Sequence, residues 1–68
     1  MFPDLTPQQA HKAHLVLWDA LRIADHVQSR ISPIDGWAFV EVFVGRTCHS
    51  VTLGPRGGLI SKTTGKVE

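Results

Sequence analysis

The sequence predicts an α+β fold, in which one N-terminal amphipathic helix is followed by a three-stranded antiparallel meander and packs on one of its faces. Three features carry that expectation. Residues 6–30 place apolar side chains at a helical period behind a clear start signal. Residues 37–44 are mostly β-branched or aromatic. Gly45-Arg46 is a glycine-led turn that folds this run back on residues 47–53.

The helix start is written in Thr6-Pro7-Gln8-Gln9. Thr6 can accept from a free N–H of the first turn, Pro7 suits the first helical position, where its missing N–H costs nothing, and Gln9 completes a capping box. Ala13, Val16, Leu17, Ala20, Leu21, Ile23, Ala24 and Val27 form a broad apolar stripe that should face the core. The helix is expected from Pro7 to near Arg30, because Pro33 follows and the residue before a proline is pushed out of the helical region. His11, His14, Asp19, Arg22, Asp25 and Ser29 make the opposite face polar, yet Leu15 and Trp18 stand in the middle of it. An apolar centre with a polar and charged rim is the anatomy of a protein docking site. Leu15, Trp18, His11, His14 and Arg22 are therefore the candidate partner-binding residues. The competing reading is a helix buried on two sides, with the chain folded over Trp18; lone exposed apolar residues also occur without function.

Pro33-Ile34-Asp35-Gly36 is turn chemistry, and a strand is expected from Trp37 to Val44. With Gly45-Arg46 as the turn, Val44 lies opposite Thr47, Val42 opposite His49, Val40 opposite Val51 and Ala38 opposite Leu53, so the aliphatic residues collect on one face. Trp37, Phe39, Glu41 and Phe43 point the other way, with Phe43 beside Cys48, Glu41 beside Ser50 and Phe39 beside Thr52. Gly54-Pro55-Arg56-Gly57-Gly58 reads as a loop, residues 59–63 as the third strand, and Thr64-Gly65 as the turn that ends it. One helix covers only one sheet face, and both faces are apolar; which of them meets the helix is open at this stage. Trp37, Phe39 and Phe43 would each bury roughly 150–250 Å² if covered. Left bare they would form a patch of the kind found at interfaces, so these residues are the candidates for self-association as a two-fold homodimer.

Size and composition restrict the chemistry. The 68 residues form one domain that buries only about 60% of its unfolded surface, leaving little chain to shape a deep pocket. The single Cys48 rules out an intramolecular disulfide and fits a reducing compartment, and Met1-Phe2-Pro3-Asp4 has neither a basic nor an apolar leader region, so a cytoplasmic protein is expected. No apolar run approaches the roughly 20 residues that span a bilayer. The net charge of +1 is unevenly spread: residues 1–44 carry Lys12, Arg22 and Arg30 against Asp4, Asp19, Asp25, Asp35 and Glu41, whereas residues 45–67 carry only Arg46, Arg56, Lys62 and Lys66. Those four cations are candidates for contact with an anion, against the alternative of a solvated strand edge kept from aggregating by its lysines. As phosphate contacts they would bind in a steeply salt-dependent way, but the helix, with Asp19 and Asp25 among its cations, would read a major groove poorly.

Catalytic and metal chemistry find little footing. His11 and His14 have i, i+3 spacing that suits two ligands of one metal, but Asp25 lies roughly 16 Å from His14 along the axis and no third ligand is in reach. His14 can instead stack on Trp18 at i+4. Cys48 and His49 are neighbours in a strand and point to opposite faces, so they do not form a nucleophile and its base. The carboxylates show no close pairing. The glycine loop lacks the lysine and hydroxyl spacing of a phosphate loop and precedes a strand where that motif requires a helix. The sequence thus points to a small non-catalytic protein without cofactor or metal, an adaptor or inhibitor that docks on another protein as a homodimer. A nucleic-acid-binding regulator using the basic hairpin loops is the alternative. Compact chains of this kind are frequent among accessory proteins of bacteria and their phages.

Overall fold

The computed structural model describes residues 2–66. Helix α1 (Pro7–Arg22) is followed by β1 (His26–Ile31), β2 (Ala38–Val44), β3 (Thr47–Leu53) and β4 (Leu59–Lys66). The four strands form one antiparallel sheet in the order β1-β2-β3-β4. The fold is α+β, with four strands where three were expected.

The helix begins as its sequence dictates. The Thr6 hydroxyl accepts from the Gln9 N–H at 3.2 Å, and the Gln9 side-chain oxygen accepts from the Thr6 N–H at 3.1 Å. Its end differs from the expectation: the last helical residue is Arg22, not one near Arg30. Ile23, assigned to the apolar stripe, is 60% exposed. Spacing explains the error, because Ile23, Val27 and Ile31 are four apart, and that interval fits both the helical period and a strand's period of two. Pairing with β2 decides the matter. Val27 lies opposite Val42 and Ile31 opposite Ala38, while Asp25 donates its N–H to the Phe43 carbonyl at 2.8 Å and accepts the Gly45 N–H on its carboxylate at 2.6 Å. Asp25, expected on the polar helix face, braces the β2–β3 turn instead.

The β2–β3 hairpin has the register predicted above at every pair, from Val44 opposite Thr47 to Ala38 opposite Leu53. Gly45 sits at φ +59°, and no non-glycine residue among those described has positive φ, as a two-residue turn with glycine first requires. β4 runs on to Lys66, so Thr64 and Gly65 lie within it, opposite His49 and Cys48, and do not turn the chain.

Ala13 and Leu17 of the helix share one buried cluster with Ala38, Val40, Val42, Val51 and Leu53, all on the aliphatic side of the sheet. Phe2 and Leu5, which precede the helix, belong to the same cluster. Gln9 is fully buried and donates from its amide nitrogen to the carbonyls of Gly36, at 2.8 Å, and Gly54, at 3.0 Å. One side chain thereby ties the helix N-terminus to the β1–β2 and β3–β4 loops, with its own polar atoms satisfied. Gly57, at φ +87°, packs so close that an added Cβ would stand 2.9 Å from the Gln8 carbonyl oxygen. Among the described residues, no helix is long and apolar enough to cross a membrane.

Candidate docking surface

The helix faces the middle of the sheet, sharing its buried cluster with β2 and β3, and every residue of β4 is exposed. On the side of the helix away from its buried residues, Leu15 is 56% and Trp18 51% exposed. The Arg22 guanidinium lies 5.3 Å from the centre of the Trp18 ring, one helical turn on, and 3.9 Å from the Asp19 carboxylate. Between the helix and strands β3 and β4 runs a shallow groove of about 210 Å³, lined by Leu15, Val16, Trp18, Asp19, His49 and Lys62. His49 is tied to β4 through its Nδ1, 3.3 Å from the Thr64 hydroxyl. Leu15, Trp18 and Arg22 thus come together as the helical period implies. His11 and His14 are exposed on the same helix. What sequence reasoning missed is the second wall, from His49 and Lys62. Among the described residues, no three His, Cys, Asp or Glu side chains gather where they could hold one metal ion.

The opposite sheet face is less bare than a three-stranded meander would leave it. Phe39 and Phe43 are half-buried. The Arg30 guanidinium lies 5.5 Å from the Phe39 ring centre, and the His26 ring is 5.8 Å from that of Phe43. Both covering side chains come from β1, the strand absent from the sequence reading. Trp37, just before β2, is 37% exposed, and its N–H donates to the Asp35 carboxylate at 3.1 Å. A broad depression of about 410 Å³ on this face is bounded by Gln28, Arg30, Phe39, Glu41, Ser50 and Thr52. The Cys48 thiol points here, 3.6 Å from the Ser50 hydroxyl and 3.9 Å from the Glu41 carboxylate, while His49 turns to the helix side, so the two neighbours stay apart.

The four C-terminal cations do not converge. Arg46 lies in the β2–β3 turn, and Lys66 is near it by pairing opposite Thr47, whereas Arg56 sits in the β3–β4 loop beyond Leu53, at the far end of the strands. Two of that loop's N–H groups are bonded internally: Gly54 donates to the Gly58 carbonyl at 2.7 Å and Gly57 to the Gly54 carbonyl at 2.9 Å. Comparison of the chain with models of protein families, with curated proteins and with solved structures finds no match, so the functional reading rests on this geometry.

Proposed function

We propose that the protein is a small non-catalytic binding module, an adaptor or inhibitor that docks on another protein through the helix surface centred on Leu15 and Trp18. The observation that carries this reading is the exposure of those two side chains, 56% and 51%, beside a groove open toward β4. The rim supports it. Arg22, Asp19, His11 and His14 surround the apolar pair with groups that can be desolvated against polar partners, and tryptophan and arginine are the residues that most often dominate binding energy at such sites. Self-association through Trp37, Phe39 and Phe43 has weaker support, because polar side chains of β1 lie beside both phenylalanines. A nucleic-acid role has weaker support still, with Arg46 and Arg56 at opposite ends of the sheet.

The test compares partners captured from the source cell by the wild-type chain and by Trp18→Ala, after urea unfolding has shown that the variant folds. A protein held by the wild type and lost from the variant is the expected result. An identical set of captured proteins from both would sink the reading.

A further inference from the structure

The geometry points to β4 as the docking edge, on which an extended acidic segment of the partner protein adds as a further strand. This deepens the docking reading above and rests on it. β4 is the longest strand, its residues are all exposed, and among the described residues no strand pairs with its outer side. Such an edge presents a row of unpaired N–H and C=O groups, the template for strand addition. Its side chains are sorted by face. Lys62, Thr64 and Lys66, opposite Val51, His49 and Thr47, lie on the helix side, while Ser61, Thr63 and Gly65 lie on the other.

Charge selects the occupant. Lys62 borders the groove, Lys66 lies farther along the same face of β4, and the groove's one acidic residue, Asp19, lies 3.9 Å from Arg22. A second copy paired about a two-fold axis would bring lysine opposite or diagonal to lysine in every register that keeps the helices on one side, which is destabilising. The lysines that discourage self-pairing therefore favour a partner strand with acids at the matching positions. On its helix side that strand would carry an acidic residue opposite Lys66, an apolar one opposite Thr64, next to the groove of Leu15 and Trp18, and an acidic one opposite Lys62. The pattern acid-x-apolar-x-acid is the same in either strand direction.

The probe is the synthetic peptide Thr-Glu-Thr-Leu-Thr-Glu-Thr, with Thr-Lys-Thr-Leu-Thr-Lys-Thr as control, added to the full chain carrying Trp37→Phe so that Trp18 alone fluoresces. Backbone amide exchange of β4 is followed in parallel. The acidic peptide should slow exchange in β4 and shift Trp18 emission, and Lys62→Glu, at an exposed position, should weaken its binding about tenfold, because an attractive pair is lost and a like-charge contact takes its place. Equal binding of the lysine peptide, no binding of the acidic one, or self-association of the chain through β4 without peptide would each overturn the proposal. A Trp18 shift without protection of β4 would overturn strand addition and leave the docking reading standing. Loss of the docking reading itself is read separately, from the capture comparison with Trp18→Ala.

Discussion

Trp18 and Phe39 are aromatic residues on the two outward surfaces of the molecule, each with an arginine beside its ring, at 5.3 Å and 5.5 Å. Trp18 nevertheless stays 51% exposed, whereas Phe39 is more buried than exposed. The difference lies in where the cover comes from. Phe39 is on an inner strand with Arg30 of β1 on one side and Thr52 of β3 on the other, and strands about 4.8 Å apart bring their side chains into lateral contact. Trp18 has only its own helix, whose next turn supplies Arg22 to one ring face. An aromatic residue on an inner strand is sheathed by its neighbours as a consequence of folding; one on the outer face of a single helix stays open.

That contrast can be broken in several ways. The largest effect is expected from Gln9→Ala, which leaves the Gly36 and Gly54 carbonyls without their donor and frees the helix that carries Trp18. A loss of about 3 kcal/mol in urea unfolding is expected, a large share of the stability of so short a domain. A loss under about 1 kcal/mol would mean that water replaces the amide without cost. Next, Phe39→Ala should cost about 2 kcal/mol, since the ring is partly enclosed. Trp18→Ala should stay within about 0.5 kcal/mol, as at other surface positions away from the core. Equal costs for the two would erase the distinction between a residue that serves folding and one that folding leaves exposed. The smallest effect separates the arginines: Arg30→Ala, which uncovers Phe39, should lower stability by about 0.5 kcal/mol, and Arg22→Ala by less than that. The reverse order would show that the helix pair is the more strongly held.

Much of this was legible beforehand where it rested on neighbours in the chain. The cap of Thr6, Pro7 and Gln9 and the hairpin about Gly45 follow from residues within a turn or a strand of one another. β1 was hidden by a coincidence of period, since Val27 and Ile31 suit a helix as well as a strand. A clue was nevertheless present in Ala38–Val44: a strand apolar on both sides belongs inside a sheet, which asks for a partner before it as well as after it. Leu15 and Trp18 were visible as an interruption of a polar face. The groove beside them was not, because Lys62 reaches the helix only through the pairing of β3 with β4.

Sequence alone therefore determined the start of the helix, the turn at Gly45 and the pairing across it, because hydrogen bonds and steric preferences over a few residues suffice to decide them. Only the tertiary structure decided where the helix stops, what the Gln9 amide binds and which aromatic rings stay open. Those outcomes depend on groups 27 and 45 residues away from Gln9 and on a strand that must find β2 across a loop. A local pattern compatible with two conformations takes the one whose distant partners bury more apolar surface and leave fewer polar groups unpaired.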